Sequence, residues 1–143
     1  LLAFLKFNWS PAKVFMGDTG STYLGAVFSG LVLQSISWDG VIGLLFICNP
    51  IFLDAFFTVI RRIANSHNPF KAHRLHLYQR LCQSGWSHSK VAIIYILFTA
   101  LSASGFIFGG LKISIFTTLI IIISGFTLDK HFAAPFSNDL AIK

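Results

Sequence analysis

The chain has 143 residues, of which 55% are hydrophobic and 11% are charged, and its formal net charge is +6. Soluble domains carry about 25% charged residues, and a soluble domain of this length could not bury so much apolar surface. The composition therefore excludes an ordinary soluble domain and indicates an integral membrane protein.

Four apolar segments follow one another along the chain. They cover residues 22–37, 41–60, 91–108 and 111–128. A membrane-spanning helix needs about 17 to 25 residues, so each segment has nearly this length or reaches it. Residues 1–7 are apolar except for Lys6, and we expect them to be the end of an earlier helix in a longer protein. We predict an all-α fold, a polytopic transmembrane helix bundle of four spans plus the end of a fifth.

Short polar turns separate these segments at residues 38–40 and 109–110, and a polar tail covers residues 129–143. A longer basic loop, residues 61–90, holds six Lys and Arg side chains, four His and no acidic residue. Because Lys and Arg are enriched in cytoplasmic loops, we predict that this loop is cytoplasmic. Two predicted spans separate this loop from residues 8–21, so we expect residues 8–21 to form a second cytoplasmic loop on the same face of the membrane.

The basic loop also has the charge of a nucleic-acid-binding segment. Its place between two apolar segments favours a membrane surface instead, so we expect contact with the lipid bilayer and no nucleic acid. We predict one short helix within the loop, over residues 73–83.

Asp18 opens the first complete span, in an acid loop of residues 13–21, and two interpretations of it stay open. An aspartate before a helix can cap its free backbone donors. A carboxylate also holds a divalent cation, and glycine amides at a helix start bind phosphate, which favours a metal and phosphate site. The residues Asp-Thr-Gly-Ser at 18–21 also spell the aspartic-protease motif. We reject that interpretation because the protease fold is all-β.

Asp54 lies inside the second apolar segment. An ionisable residue within a span is costly and usually faces the bundle interior. We expect it to pair with Arg61 or Arg62, seven or eight residues further on. A structural ion pair and a contact with substrate are equally open interpretations.

Three residues of the basic loop are candidates for binding an anion. His76 and Arg80 are four residues apart and would share one face of a helix, whereas Arg74 would point elsewhere. Arginine binds phosphate with two parallel hydrogen bonds, and a histidine can add a hydrogen bond or transfer a proton. The alternative is a solvated loop that binds anionic lipid head groups. No carboxylate in the loop joins His73 and His76, so a zinc site is not favoured.

Two motifs occur in order along the chain. The first is Pro-Ala-Lys-Val-Phe-Met-Gly-Asp-Thr-Gly-Ser at 11–21, followed by Leu-Gly at 24–25. The second combines Asn-Pro-Phe at 68–70, Arg-Leu-His-Leu-Tyr-Gln-Arg-Leu at 74–81 and Gly-Trp-Ser-His at 85–88. Together they resemble the signatures of the polyprenyl-phosphate N-acetylhexosamine-1-phosphate transferases, integral membrane enzymes of glycosyltransferase family 4. The resemblance covers essentially the whole chain.

The resemblance implies that residues 1–143 are the C-terminal part of one membrane transferase domain in the bacterial inner membrane. Such an enzyme moves a sugar-1-phosphate from a UDP-N-acetylhexosamine to undecaprenyl phosphate and releases UMP. Mg²⁺, with Mn²⁺ as the alternative, neutralises the diphosphate. Asp18 matches the residue assigned to metal binding and catalysis, and His76 matches the first histidine of the basic-loop motif, with a catalytic role. Further substrate contacts are expected from Gly17, Thr19, Gly20, Ser21, Arg74 and Arg80.

Tyr78 and Gln79 stand where many members have further histidines. This form is similar to the branch that initiates O-antigen, whereas the peptidoglycan phospho-MurNAc-pentapeptide translocase is the alternative within the family. The family's paired aspartates are expected upstream of residue 1, so the fragment is expected to be inactive alone. An alternative of another class is a non-enzymatic membrane anchor or transporter part with a lipid-binding basic loop.

Overall fold

The computed structural model describes residues 1–66, 68 and 71–136. Within these ranges the chain is helical and has no strand, so the all-α prediction is confirmed for them. The helices are α1 (Leu2–Asn8), α2 (Gly17–Leu33), α3 (Trp38–Ile47), α4 (Asn49–Ala64), α5 (Leu77–Gln83) and α6 (His88–His131). Pro69 and Phe70 of the second motif, and residues 137–143 of the predicted tail, lie outside the described residues.

The second predicted span is not one straight helix. α3 and α4 meet at Cys48 and are bent by 70° relative to each other. Pro50 lies in the first turn of α4 and has no backbone N–H, so the hydrogen-bond ladder of α3 cannot continue through it. Asn49 donates a hydrogen bond to Thr118 Oγ1 at 2.9 Å, which fixes this corner against α6.

The helices around the basic loop extend further than we predicted. α4 continues to Ala64, so Arg61 and Arg62 are helical, and α6 already begins at His88. The short helix of the loop begins at Leu77 rather than at residue 73. The non-helical part of the basic loop is therefore shorter than residues 61–90.

The longest helix, α6, reverses direction at Gly110. This glycine has φ 60° and ψ −156°, a backbone conformation open to glycine and costly for other residues. Gly105 and Thr117 are in contact across the reversal, since a Cβ on Gly105 would lie 2.8 Å from Thr117 Cγ2. In a straight helix these two residues would be about 18 Å apart. The predicted turn at residues 109–110 is thus confirmed, and α6 is a hairpin with arms 88–109 and 111–131.

The α6 hairpin forms the centre of the fold, and α3, α4 and α5 pack against it. The small residues Gly105 and Thr117 let the backbones of the two arms approach closely, and Ser102 and Ser114 of the arms are also buried. Phe106 covers Gly43 of α3, where any side chain would collide with its ring. This contact brings the backbone of α3 close to the hairpin.

Most of the apolar surface faces outward. By length and hydropathy, α6 is long and apolar enough to cross a membrane, and α3 with α4 passes the same test as one broken span. Only 17% of the most apolar stretch of α6 is buried. A helix that is apolar and exposed suits a lipid environment better than water.

Candidate active site

Asp18 lies in the first turn of α2, and its side chain is exposed. The capping position belongs to Met16, and no side-chain hydrogen bond caps the start of this helix. The capping interpretation of Asp18 is therefore not supported. Its carboxylate instead adds negative charge to the electropositive end of the helix, which is stabilising, and it is exposed to a ligand.

The two glycines of the acid loop have different structural reasons. Gly17 has φ 64°, in the left-handed region that favours glycine. Gly20 leaves room for the Met16 side chain, which would collide with a Cβ at this position. Thr19 and Ser21 are exposed in the same turn, and the Ser21 hydroxyl donates to the Asp18 carbonyl at 3.0 Å. The predicted contacts of this loop are thus brought together around Asp18.

His76 stands immediately before α5 and caps its start. Its backbone N–H donates to Gln79 Oε1 at 3.2 Å, so the residue that replaces a histidine in the motif helps to close the first turn. The His76 ring stacks on Tyr78, with ring centroids 5.4 Å apart and planes inclined by 15°. The imidazole is 23% exposed. It is therefore held in place and yet open on one side.

Asp54 of α4 is the buried acceptor at the centre of this region, with its side chain only 6% exposed. It accepts hydrogen bonds from the Leu77 N–H and the Tyr95 hydroxyl, both at 2.8 Å, and from Thr58 Oγ1 at 3.3 Å. His76 Nδ1 lies 3.8 Å from Asp54 Oδ1. One carboxylate therefore ties α4, the start of α5 and the first arm of α6 to His76.

A cleft of about 1050 Å³ runs between the segment that leads to the acid loop and this polar network. Trp9, Ser10 and Phe15 line one wall, and His76 and Tyr78 line another. Burial raises the pKa of the Tyr78 phenol, and the negative charge of Asp54 raises it further, so this hydroxyl stays protonated. The cleft has mainly apolar walls with a polar end at His76. Asp18 is not among its described lining residues.

The comparison with known proteins agrees with both motifs. Residues 1–36 match the family model described as glycosyl transferase family 4. Over 130 residues the chain is 37% identical to a probable undecaprenyl-phosphate N-acetylglucosaminyl 1-phosphate transferase of Bacillus subtilis, covering 85% of the chain and 36% of that protein. The chain belongs to glycosyl transferase family 4. The 85% coverage necessarily includes the basic loop, so the resemblance extends beyond the acid loop.

Two other relatives of this family 4 chain are named for different reactions or lipid carriers than the Bacillus subtilis protein. The decaprenyl-phosphate N-acetylglucosaminephosphotransferase of Mycobacterium leprae is 31% identical over 119 residues, which are 73% of the chain and 30% of that protein. The phospho-N-acetylmuramoyl-pentapeptide-transferase of Carboxydothermus hydrogenoformans is 37% identical over 101 residues, 69% of the chain and 30% of that protein. The chain thus spans about a third of the length of these curated relatives. No solved structure matches it.

The predicted ion pair between Asp54 and Arg61 or Arg62 is wrong. Arg61 Nη1 pairs with Asp129 Oδ2 at 2.5 Å, and the buried Arg62 donates to the carbonyls of Asn68 and Lys71. Backbone, hydroxyl and imidazole donors already surround the Asp54 carboxylate, so its charge is stabilised without an arginine. The reversal of α6 supplies a second carboxylate, that of Asp129, which lies at the start of the predicted polar tail but is part of α6.

Arg80 was predicted to contact substrate from the same helix face as His76. In this family 4 chain it is buried, with 4% of its surface exposed, and its guanidinium binds Asp129 and the Ala134 carbonyl. His76 precedes α5, so the two residues are not stacked on one exposed face. The geometry favours a role for Arg80 in holding α5 rather than in binding substrate.

Arg74 lies in the segment before α5, and its side chain is exposed. Its backbone carbonyl accepts a hydrogen bond from Gln83 Nε2 at 2.8 Å, which fastens this segment to the helix. A fixed backbone with an exposed guanidinium is compatible with the predicted contact to a phosphate.

Asp18 is the one suitable ligand, among the described residues of the acid loop, for the Mg²⁺ ion that the family resemblance implies. Among the described residues, no group of three His, Cys, Asp or Glu side chains is placed to hold a metal ion. Asp18 offers an exposed carboxylate, and Mg²⁺ is often held by one or two carboxylates together with water and substrate phosphates. The described residues therefore fit a single protein ligand to Mg²⁺ and no complete coordination shell.

Proposed function

We propose that this chain contributes to the active site of a transferase that moves an N-acetylhexosamine-1-phosphate from a UDP-sugar to undecaprenyl phosphate. The observation that carries the proposal is the cleft in which the segment before Asp18 faces His76 and its buried Asp54. Its mainly apolar walls suit a lipid chain, and its polar end suits a phosphate. The names of the relatives support the polyprenyl-phosphate acceptor.

In the proposed arrangement the protein is a multi-pass protein of the bacterial inner membrane. α2, the bent pair of α3 and α4, and the two arms of α6 are the four spans, and α1 is the end of a fifth. The ion pairs of Asp129 with Arg61 and Arg80 support this order, because they place the end of α6 beside the basic loop. The acid loop, one hairpin earlier, then shares the cytoplasmic face.

The proposed reaction joins a phosphate oxygen of the lipid to the sugar-bearing phosphorus of the UDP-sugar, and the bond to UMP breaks. Mg²⁺ or Mn²⁺ bound at Asp18 would neutralise the diphosphate. His76 donates a hydrogen bond to a phosphate oxygen, and Asp54 keeps its ring oriented towards the cleft. Arg74, two residues before His76, adds an exposed positive charge. Charge stabilisation and positioning by fixed groups are the main contributions that a protein makes to phosphoryl transfer.

The sugar is proposed to be N-acetylglucosamine or a related N-acetylhexosamine, used to start a cell-envelope polysaccharide such as O-antigen. Relatives from Bacillus subtilis and Mycobacterium leprae, both named for N-acetylglucosamine transfer, support this choice. The second candidate is transfer of phospho-MurNAc-pentapeptide, which is favoured by the relative from Carboxydothermus hydrogenoformans. Tyr78 and Gln79 depart from the multi-histidine form of the basic loop and favour the first candidate.

The proposal is tested by mass analysis of the lipid product. Membranes that contain the full-length protein are incubated with undecaprenyl phosphate, Mg²⁺ and, in separate reactions, UDP-GlcNAc, its N-acetylhexosamine analogues and UDP-MurNAc-pentapeptide. We expect a lipid diphosphate that carries an N-acetylhexosamine, and UMP in equal amount. Membranes with Asp18→Asn serve as the control. No lipid diphosphate from any donor, with the protein present and folded in the membrane, would contradict the proposal.

A further inference from the structure

The ends of three helices meet at one carboxylate outside the cleft. Asp129, near the end of α6, forms ion pairs with Arg61 of α4 and with Arg80 of α5. The side chains of Asp129 and Arg80 are only 12% and 5% exposed, whereas Arg61 is 41% exposed. The pair with Arg80 is therefore largely shielded from water, and breaking it would leave a buried charge without a partner.

The chain after α6 completes this junction by returning across α5. In this C-terminal return (residues 132–136), the Ala134 carbonyl accepts a hydrogen bond from Arg80 Nε at 2.8 Å, and the Ala134 N–H donates to the Arg80 carbonyl at 3.1 Å. The Phe136 ring lies 5.3 Å from the guanidinium carbon of Arg80 and 5.4 Å from that of Arg61. Trp86, just after α5, packs on Phe132 with ring centroids 5.4 Å apart.

α5 depends on such contacts because it has only seven residues. A helix this short is not stable by itself in water. Its N-terminal end is fixed by Asp54, which accepts from the Leu77 N–H. Its last turn is held at Arg80 by Asp129 and by the C-terminal return, and Trp86, just beyond the C-terminal end, packs on Phe132. Two anchored ends define the helix axis, and that axis determines where His76 stands in the cleft.

We propose that Asp129 is a positioning residue for the transfer reaction: by holding Arg80 and Arg61 together it keeps α5 in the orientation that presents His76 to the cleft. This inference rests on the proposed function. Loss of the Asp129 charge frees the C-terminal end of α5, and His76 then samples positions too far from the phosphates. A displacement of about 1 Å can lower a rate about a hundredfold.

The test combines kinetics with a structural measurement on the full-length protein in membranes. Asp129→Asn should lower kcat at least about tenfold, with an unchanged KM for undecaprenyl phosphate, and Asp129→Glu should restore most of kcat. Trypsin should cleave after Arg80 in Asp129→Asn and spare this buried site in the original protein. Cleavage after the exposed Lys71 and Arg74 is the internal reference. Asp39→Asn is the matched control, because it removes an exposed carboxylate from the first turn of α3.

Two outcomes would overturn the inference. They are an unchanged kcat in Asp129→Asn, whether or not Arg80 is newly cleaved, and a lowered kcat while Arg80 stays protected. If Asp129→Asn does not accumulate in the membrane, Arg61→Gln replaces it, because this change removes only the more exposed of the two ion pairs. We then expect kcat to fall severalfold and trypsin to cleave partially after Arg80. An unchanged kcat together with unchanged cleavage would overturn the inference. Absence of transfer by the unmodified protein refutes the proposed function instead, and the protease measurement still reports whether Asp129 holds α5.

Discussion

The two residues predicted to carry the chemistry are supported very differently by the chain around them. Asp18 lies exposed on α2, a helix with no buried residue. His76 is stacked on Tyr78, capped through Gln79 and placed beside the buried Asp54, which Tyr95 also contacts. The position of His76 is thus determined by packing within this chain, whereas Asp18 owes little to packing. We therefore expect changes at Asp18 to affect chemistry alone and changes around His76 to affect chemistry and stability together.

The sharpest test of this difference is Asp18→Asn. Because the carboxylate makes no buried contact, its loss should cost only its interaction with the helix dipole, about 0.3 to 1 kcal/mol, and should leave membrane insertion unchanged. If it binds the metal, turnover should fall about a thousandfold. A radiolabelled nucleotide-sugar assay measures turnover, and thermal unfolding in detergent measures stability. Asp39→Asn is the control, because Asp39 is also an exposed aspartate in the first turn of a helix. Near-normal turnover in Asp18→Asn would remove Asp18 from the site.

His76→Ala should have the next largest effect. A hydrogen-bonding or proton-transferring imidazole contributes about a hundredfold or more to a rate, so we expect a loss of this order in kcat. A small loss of thermal stability should accompany it, because the ring packs against Tyr78. The control is His131→Ala, which removes an exposed histidine at the end of α6. Equal losses in both variants would mean that His76 has no specific role in the reaction.

Asp54→Asn tests whether the buried acceptor is the cause of the ordered His76. The amide keeps the shape of the carboxylate, but its NH₂ group must face one of the donors that Asp54 now accepts from. An unsatisfied buried donor costs about 1 to 3 kcal/mol, so the melting temperature should fall measurably. We expect kcat to fall about tenfold, less than in His76→Ala. Unchanged stability together with unchanged turnover would show that α5 is held without Asp54.

Local chemistry explains which parts of the fold could be predicted. The reversal at Gly109-Gly110 depends on a few neighbouring residues and is present. A helix also begins at the acid loop, but it begins at Gly17, before the predicted apolar segment of residues 22–37. The bend between α3 and α4 was missed although Pro50 signals it. The run of residues 41–60 around it is mainly apolar and is long enough for one straight span. Because the apolar run has the length of one span, its length alone does not indicate the bend between α3 and α4.

The arrangement of the candidate site was harder to predict than its residues. Asp54 meets Tyr95 across 41 positions of sequence, and Arg80 meets Asp129 across 49. Both pairs depend on how α4, α5 and the α6 hairpin pack, which no local pattern specifies. A usable signal was present, since Asp129 is a lone acid directly after an apolar segment that ends on the basic face. The roles of Asp18 and His76 stay predictions.

The smallest expected effect, and the finest test of the comparison, is that of Tyr95→Phe. This change removes one hydroxyl donor from Asp54 and leaves the ring contacts with Tyr78 and Phe98 in place. A single hydrogen bond to a buried carboxylate is worth about 1.5 to 3 kcal/mol. Because three other donors stay near Asp54, we expect a loss of about 1 kcal/mol in stability and about threefold in kcat. Tyr23→Phe on the exposed α2 should change neither quantity. If the two variants behave alike, the hydrogen bonds around Asp54 do not order the region of His76. That region is then no better ordered than the acid loop, which lacks such a buried network.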